Sequence, residues 1–308
     1  MRATKSVFGP VPSRRLGLSL GISPLPRKTC NYACVYCQLG RTRQMTNQRQ
    51  EFVPWETIRE EFSNFLQSGV PFDVVTIVGE GEPTLYAQIE ELIGAVQTLT
   101  DKPVAVITNG SLLAVEEVRS ALKKADLVLP SLDAYDEASF RKINRPLRKI
   151  KFQEVYEGLR LFTQEYEGQL WLEMMLVQGL NDDEASLHKL KELLQGLNYQ
   201  KLYLNTPVRP PTESWVTQPV VQVMQKAVRL LGGVALDSLT EGNFYSEIKD
   251  NYEAVLSIIK RHPMNQYELH GFLNSRGCTN PASILTKLEQ NKDVEVVFYK
   301  GYCIYRLV

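Results

Sequence analysis

Short β-branched runs alternate with amphipathic segments along the chain, and this alternation is the strongest constraint on its fold. The candidate strands are Leu18–Ile22, Val74–Val78, Val104–Thr108, Leu127–Ser131, Trp171–Val177 and Leu202–Asn205. The segments with helical periodicity between them are Trp55–Leu66, Ile89–Leu99, Val115–Lys124, Phe152–Tyr166 and Glu184–Leu194. Such repeats predict an α/β fold with a parallel sheet, whose ligands bind at the carboxyl ends of the strands.

Three of the five cysteines lie within eight residues, as Cys30, Cys34 and Cys37, in the connection after the first predicted strand. Three thiolates leave one iron of a four-iron cube open, whereas an electron-transfer ferredoxin normally uses four. Zinc fits less well, because no second pair of Cys or His follows nearby and the histidines lie far downstream, at His188, His262 and His270. The other alternative is that the cysteines are buried as small apolar residues.

The spacing Cys30-x3-Cys34-x2-Cys37, with Tyr36 before the last cysteine, resembles the signature of the radical S-adenosylmethionine (SAM) superfamily. Further segments resemble the branch related to the wybutosine-synthesis radical SAM proteins. These segments are Pro10–Gly17, Gln38–Thr42, Gly81–Thr84, Ser131–Ala134, Lys142–Pro146, Asn205–Thr206 and Arg209–Pro211. The resemblance extends over about the first three quarters of the chain.

The resemblance implies an open partial barrel of six βα units, with a [4Fe–4S] cluster on the three cysteines and SAM as cofactors. An external one-electron donor, of the flavodoxin or ferredoxin type, would drive cleavage of SAM to methionine and a 5′-deoxyadenosyl radical. That radical would abstract hydrogen from the substrate. The protein is then expected to orient the reactants, tune the cluster potential and exclude water.

Glycines and carboxylates follow the predicted strand Val74–Val78, in the segment Gly79–Pro83. A carboxylate beside glycines that permit close approach suits an ammonium group, although a tight strand-exit turn is the alternative. The resemblance implies that Gly81 and Glu82 hold the SAM amino group. Glu80 stands where the superfamily often has glycine, so it either faces substrate or is solvated.

Polar residues also follow the third and fourth predicted strands. Asn109 follows the third, and Ser131 and Asp133 follow the fourth, so their side chains are expected at the same barrel mouth. The alternatives are a turn at Asn109 and an N-cap by Ser131 or Asp133 for a helix over Glu137–Ile143. The resemblance implies that Ser131 and Asp133 lie near the ribose or methionyl carboxylate, and that Tyr36 lies near the adenine.

Other polar residues are candidates for contacts with ligands. Glu173 lies within an apolar strand and needs a partner, whether or not it contacts SAM as predicted. Arginine forks bind carboxylates and phosphates, which favours an anionic substrate. The substrate-binding candidates are Arg14, Arg15, Arg145, Asn205 and Arg209. For Arg145 and Arg209, surface positions or helix-end contacts are the alternative.

Composition indicates a chain without membrane attachment. The 35 basic and 35 acidic residues give a formal net charge of zero, so no general attraction to polyanions is expected. No apolar run approaches the roughly 20 residues that span a bilayer, and Pro10 and Pro12 interrupt an N-terminus that lacks a signal-peptide region. The odd, clustered set of cysteines favours a reducing cytoplasm over a disulfide framework.

The chain is predicted to form two domains, residues 1–240 and 241–308. The second domain has predicted helices over Ala254–Lys260, Gln266–Leu273 and Asn280–Gln290, followed by a hairpin of Val294–Tyr299 and Tyr302–Leu307. This order predicts a small winged-helix-like domain. Its third helix offers few cations for nucleic acid, since Lys287 and Lys292 stand against Glu289 and Asp293.

Three functions are consistent with these features. The first is a radical SAM enzyme that acts on a tRNA base or another nucleotide, and the second is the same catalyst acting on a small metabolite or peptide. The third is a cluster-based winged-helix regulator, which the predicted SAM-binding residues disfavour.

Cys278 and Cys303 lack ligand spacing and are predicted to be core residues. The second-cluster cysteines of the wyosine-forming enzymes are absent from the sequence, which indicates a relative with different chemistry.

Overall fold

A computed structural model describes residues 5–236 and 244–307 of the chain. In chain order the strands are β1 (Val7–Ser13), β2 (Gly17–Ile22), β3 (Thr29–Cys30), β4 (Gln44–Met45), β5 (Val74–Ile77), β6 (Val104–Thr108), β7 (Leu127–Pro130), β8 (Gln169–Met175), β9 (Lys201–Asn205), β10 (Val234–Leu236), β11 (Met264–Asn265), β12 (Val294–Tyr299) and β13 (Tyr302–Leu307).

The helices lie between these strands. In chain order they are α1 (Trp55–Leu66), α2 (Ile89–Gln97), α3 (Glu116–Leu122), α4 (Glu137–Ile143), α5 (Phe152–Glu165), α6 (Glu184–Leu194), α7 (Val221–Leu231), α8 (Asn251–Ile259), α9 (Gln266–Ser275) and α10 (Pro281–Gln290). A short 3-10 turn occupies Pro83–Leu85. Of the helices in the described ranges, none has the length and apolar character needed to cross a membrane.

An eight-stranded sheet forms the main body, in the order β1-β2-β5-β6-β7-β8-β9-β10. Every adjacent pair is parallel except β1 and β2, which form an antiparallel hairpin. All six predicted strands are present in the sheet. The sheet also contains β1 and β10, which the sequence did not predict. Two prolines in β1 and only three residues in β10 hide both strands from a periodicity argument.

The sheet curls until its two edges approach each other, as a half-barrel. Arg14, directly after β1, donates from Nη1 to the carbonyl oxygen of Leu236 in β10 at 2.5 Å. Arg15 crosses the lumen to Glu173 of β8, with 2.6 Å between Nη1 and Oε1. The hairpin of β1 and β2 therefore places two arginines inside the curl.

The helices pack on the convex face of the sheet because each has one apolar face. In α1, Ile58, Phe62 and Phe65 are buried, whereas the charged residues between them face water. In α5, Val155 and Phe162 are buried in the same main core. Because the apolar side chains pack outside the curl, the concave face is free to carry polar groups, such as the hydroxyls of Ser19 and Thr76, which lie 2.6 Å apart.

The C-terminal segment folds around its own core. Its sheet has the order β11-β13-β12, and its core includes Val255, Leu269, Phe272 and Leu288. The predicted helices and hairpin are present, and the two-residue strand β11 was not predicted. The predicted domain boundary between residues 240 and 241 lies outside the described residues.

Buried polar contacts fasten this segment to the mouth of the half-barrel. Arg209, after β9, pairs with Glu268 of α9 at 3.1 Å and lies 2.7 Å from the ring nitrogen Nε2 of His262. Arg261 pairs with Glu80, after β5, at 3.2 Å. The Tyr299 hydroxyl donates to a carbonyl oxygen of the loop after β9 at 2.6 Å. The two units therefore share one polar interface at the carboxyl ends of the strands.

Gly158 marks a close contact between α5 and the loop before α3. A Cβ atom at this position would lie 2.3 Å from the backbone nitrogen of Ala114. Gly158→Ala should therefore lower the free energy of unfolding by about 2 kcal/mol through overpacking, measured by urea denaturation. The control is Gly94→Ala in α2, where no atom lies within 4 Å of the added Cβ. That control should be neutral or raise stability by up to about 1 kcal/mol, and equal effects of the two substitutions would refute the packing argument.

Candidate active site

The cysteine segment lies at the carboxyl ends of the sheet strands. Cys30 ends the short strand β3, which pairs in parallel with β4, and its carbonyl oxygen accepts from the amide of Thr46 at 3.1 Å. A turn follows, in which the amide of Cys37 donates to the carbonyl oxygen of Cys34 at 3.1 Å. The backbone thus presents the three thiols on one loop at the mouth of the curl.

Side-chain amides contact two of the thiols. Nδ2 of Asn109 lies 3.7 Å from Sγ of Cys30, and Nδ2 of Asn144 lies 3.6 Å from Sγ of Cys34. The amide of Tyr32 also donates to Sγ of Cys30 at 3.4 Å. Donors of this kind stabilise a sulfur that carries negative charge. They are therefore suited to thiolates that ligate a metal cluster.

The three thiols differ in their electrostatic surroundings. Burial, with the nearby carboxylate of Glu82, raises the pKa of Cys30 to about 12. Burial raises the pKa of Cys34 well above its usual value, and Asp133 adds to the effect. Burial also raises the pKa of Cys37, but there the cations Lys28 and Arg306 oppose the rise. Cys30 and Cys34 therefore each lie near a carboxylate, whereas Cys37 lies near two cations.

The donor set fits an iron–sulfur cube. Within the described ranges, no three His, Cys, Asp or Glu side chains are grouped so that they could hold a single metal ion. A cube takes each thiolate on a different iron, and soft sulfur ligands suit iron–sulfur clusters. Because burial makes free thiolates costly here, a cationic partner is needed for the three sulfurs to ionise.

Glu82 is a buried hydrogen-bond centre next to this loop. It is 2 % exposed, and Oε1 accepts from the amide and hydroxyl of Thr84 at 3.0 and 2.6 Å and from the hydroxyl of Thr108 at 2.6 Å. Its Oε2 accepts from the amide of Asn109 at 2.7 Å. Burial raises the pKa of Glu82, and these four hydrogen bonds oppose that rise. The carboxylate therefore joins the ends of β5 and β6.

Gly81 lets this segment pack directly on the first cysteine strand. A Cβ atom at Gly81 would lie 1.7 Å from the carbonyl oxygen of Thr29, so no other residue fits without a backbone shift. The same carbonyl oxygen accepts from the amide of Glu82 at 3.1 Å. Glycine at position 81 is therefore required by the packing of this segment on β3.

Asp133 is a second buried carboxylate centre, on the other side of the loop. Its Oδ1 accepts from the amide of Met175 at 2.8 Å, and its Oδ2 accepts from Nδ2 of Asn144 at 2.8 Å and from the hydroxyl of Tyr36. Burial raises the pKa of Asp133, and these donors oppose the rise. The N-cap of α4 is Asp136, so neither Ser131 nor Asp133 serves as that cap.

Glu173 has the partner that its burial demands. Its Oε1 accepts from Arg15 and from Nδ2 of Asn205, each at 2.6 Å. Ser131, after β7, forms an isolated backbone bridge with Glu173. The four residues therefore connect the first hairpin to the ends of β7, β8 and β9.

A cavity of about 200 Å³ lies inside the mouth. Its walls come from the first hairpin, the cysteine loop, the segment after β5, the segment after β9 and the C-terminal unit. Four arginines and one carboxylate are among its lining residues: Arg14, Arg15, Arg209, Arg261 and Glu80. Nε of Arg15 is buried without a hydrogen-bond partner among the described residues. The cavity is therefore lined by guanidinium groups, three of which have carboxylate partners.

The predicted substrate residues do not all lie in this cavity. Arg145 is on the rim, where it pairs with Glu213 at 2.7 Å with 41 % of its side chain exposed. Arg209 lines the cavity, but its guanidinium is committed to Glu268 and His262. Asn205 reaches the cavity only through Glu173 and Arg15. Arg145 and Arg209 thus both have protein partners, as the alternative to substrate binding anticipates.

Sequence reasoning missed Arg261 and Lys28 at this site and left Glu80 between two alternatives. Arg261 lines the cavity from the C-terminal unit, which no local pattern could associate with the barrel. Glu80 is buried between Arg261 and Arg27, the latter at 3.8 Å, rather than solvated. Lys28, two residues before Cys30, lies buried against the loop. The one available signal was the run of cations flanking the cysteines.

Comparison with known proteins gives this site a family context. A sequence profile of the Radical SAM superfamily matches residues 26–190. The chain is 35 % identical to "UPF0026 protein MJ1312" of Methanocaldococcus jannaschii, over 97 % of this chain and 94 % of that protein. It is 25 % identical to a GTP 3′,8-cyclase of Lactiplantibacillus plantarum, over 90 % of this chain and 76 % of that protein.

Solved structures share the fold at lower identity. One is TYW1 with a lysine–pyruvate adduct bound, with a TM-score of 0.54 and 19 % identity over 70 % of this chain and 74 % of that chain. Another is anSMEcpe with bound AdoMet, with a TM-score of 0.53 and 17 % identity over 78 % of this chain and 66 % of that chain. The predicted superfamily resemblance is confirmed.

Removal of the Asp133 carboxylate should destabilise the site more than removal of an exposed cap. Asp133→Ala leaves three buried donors without an acceptor, so we expect the free energy of unfolding to fall by about 3 kcal/mol in urea denaturation under reducing conditions. The control Asp136→Ala removes the cap of α4 and a surface ion pair with Lys189 at 3.6 Å, and should cost about 1 kcal/mol. Equal losses for the two variants would contradict the role of Asp133 as a hydrogen-bond centre.

Proposed function

Because this chain belongs to the radical SAM superfamily, we propose that Cys30, Cys34 and Cys37 hold its [4Fe–4S] cluster and leave one iron for SAM. When bound and reduced by an external donor, these cofactors supply a 5′-deoxyadenosyl radical that abstracts hydrogen from a substrate. The observation that carries the residue assignment is the three-thiol loop held between two buried carboxylates at the mouth of the curl. Superfamily membership indicates an enzyme and lends no support to a regulator.

The segment around Glu82 binds the methionyl end of SAM in this proposal. Gly81 lets the segment pack on β3 beside Cys30, and the buried charge of Glu82 favours an ammonium group nearby. Four hydrogen bonds already occupy the carboxylate, so its second task is to fix the backbone of Asn109, whose side-chain amide lies beside Cys30. Glu82 therefore acts both through its charge and through the residues that it orients.

The groups after β6, β7 and β8 bind the nucleoside end of SAM in this proposal. Asn109 and Ser131 offer polar side chains at adjacent strand ends, and Glu173 lies across the bridge from Ser131. Asp133 holds the Tyr36 hydroxyl, which fixes the tyrosine ring next to the last cysteine for contact with the adenine. In this arrangement Asp133 orients the binding groups, because its own oxygens are occupied.

The substrate, we propose, is a small anionic molecule that enters the cavity of about 200 Å³. Arg14, Arg15 and Arg261 line it; Arg15 and Arg261 pair with Glu173 and Glu80, and Nε of Arg15 lacks a partner among the described residues. The C-terminal unit lies over the mouth and contributes Arg261 and His262 to the wall. A cavity of this size lined by guanidinium groups favours a nucleotide or another small anion over a folded tRNA.

Residues 241–308 form a winged-helix-like domain in this proposal, and its role is to close the substrate cavity. The order of α8, β11, α9, α10 and the final hairpin supports this assignment. Its ion pairs with the barrel are buried, as in Arg209–Glu268 and Arg261–Glu80. Because this surface of the C-terminal unit is ion-paired with the barrel, it is better suited to covering a small substrate than to binding a nucleic acid.

Substitution of a proposed ligand should abolish SAM cleavage. Cys34→Ala removes one cluster corner, so anaerobically reconstituted protein should lose most of its iron and form no detectable 5′-deoxyadenosine with dithionite and SAM. The matched control is Cys278→Ala, in the C-terminal core, which should keep both the iron and the cleavage. An unsubstituted chain with an intact cluster and no 5′-deoxyadenosine would contradict the proposed function.

The substrate class can be tested without knowing the substrate. A small-molecule filtrate of a cell extract should raise 5′-deoxyadenosine formation above the level with SAM alone. Arg15→Gln should reduce this stimulation about tenfold, since it removes a charged contact to an anion, whereas Arg59→Gln on the exposed face of α1 should not. Melting curves of both variants control for stability. Stimulation by purified tRNA, and none by the filtrate, would show that the substrate class is RNA.

A further inference from the structure

Lys28 is a buried cation at the Cys37 end of the cysteine loop. It is 6 % exposed, and its ammonium nitrogen lies 3.1 Å from the position that a Cβ atom on Gly40 would occupy. The amide of Gly40 in turn donates to the carbonyl oxygen of Cys37 at 3.3 Å. The side chain of Lys28 therefore folds back over the turn that follows the last cysteine.

The backbone of Lys28 is held on both sides. Its amide donates to the carbonyl oxygen of Glu80 at 2.5 Å, and its own carbonyl oxygen accepts from the amides of Arg43 and Gln44 at 3.0 and 3.1 Å. These bonds fix it at a φ of 60°, in the left-handed region that a residue with a side chain seldom adopts. The position of the ammonium group is thus built into the fold.

This ammonium group is surrounded by like charges. Arg27, Arg43 and Arg306 all act on it electrostatically, and together with burial they lower the pKa of Lys28 to about 8. The turn over which the ammonium group lies begins at Cys37, whose carbonyl oxygen accepts from the amide of Gly40. A buried cation among other cations is costly unless an anion compensates for it. An iron–sulfur cube with thiolate ligands would supply that anion.

The charges around the other two cysteines have the opposite sign. Cys30 lies near the carboxylate of Glu82, and Cys34 lies near that of Asp133. The positive charge of Lys28, near Cys37, therefore counteracts the negative charges of the two buried carboxylates. Reduction of a cluster adds one electron from the external donor and hence one negative charge, which a nearby cation stabilises.

We propose that Lys28 is a positioning residue that raises the reduction potential of the cluster by holding a fixed positive charge at the Cys37 corner. This inference rests on the proposed function, because it requires a cluster on the three cysteines. It assigns to Lys28 no contact with SAM or with substrate.

The test is a redox titration of the cluster, followed by electron paramagnetic resonance at neutral pH without SAM. Lys28→Met removes the charge and keeps an apolar stem, so the ratio of reduced to oxidised cluster at a given potential should fall about tenfold, which is a shift of about 59 mV for one electron. Lys28→Arg should restore the original midpoint. Lys102→Met, at an exposed site, is the control and should not change it.

The outcomes separate this inference from the proposed function. Full iron content with an unchanged midpoint in Lys28→Met would overturn the role of Lys28, as would a lowered midpoint that Lys28→Arg fails to restore. If Lys28→Met does not retain a cluster, Lys28→Gln removes the same charge with a polar side chain, and its midpoint decides. A lowered midpoint there supports the inference, and an unchanged one overturns it. Failure of the unsubstituted chain to bind a cluster would instead refute the proposed function.

Discussion

The structure depends on two buried carboxylates that hold the cysteine loop to the ends of the parallel strands. Glu82 accepts four hydrogen bonds from the ends of β5 and β6, and Asp133 accepts three from the loop, the end of α4 and β8. Neither carboxylate gains from burial itself, since desolvation disfavours the charged form of both. Their stability comes from converging donors, and that convergence fixes where the three thiols can lie.

The charge around the loop is organised by the same packing. The Glu82 segment contacts β3 through Gly81, and the carbonyl oxygen of Glu80 holds the amide of Lys28. One short segment after β5 therefore places a carboxylate beside the first cysteine and a cation beside the third. The positions of the Glu82 carboxylate and of the Lys28 ammonium group both depend on this one segment. A substitution in the segment is therefore expected to move both charges.

The sequence predicted the parts of this molecule that arise from local pattern. Runs of β-branched residues placed the six parallel strands, and cysteine spacing identified the loop that the family comparison places within the radical SAM superfamily. The residues missed are those whose partners are distant in sequence. Arg261 meets Glu80 from 181 positions away, and the Arg14 contact with Leu236 spans 222. Periodicity and spacing carry no information on such pairs, because they form only after the sheet curls and the C-terminal unit packs on it.

The contact of Arg14 with Leu236 also has a mechanical meaning. Around most of the curl, neighbouring strands are joined by ladders of backbone hydrogen bonds, which stretch little. Across the seam between the first and last strands, the side chain of Arg14 reaches a carbonyl oxygen, and the described residues form no backbone ladder there. A side chain changes its rotamer more easily than a ladder changes its register. The seam is therefore the part of the wall that adapts most readily to the girth of a bound molecule.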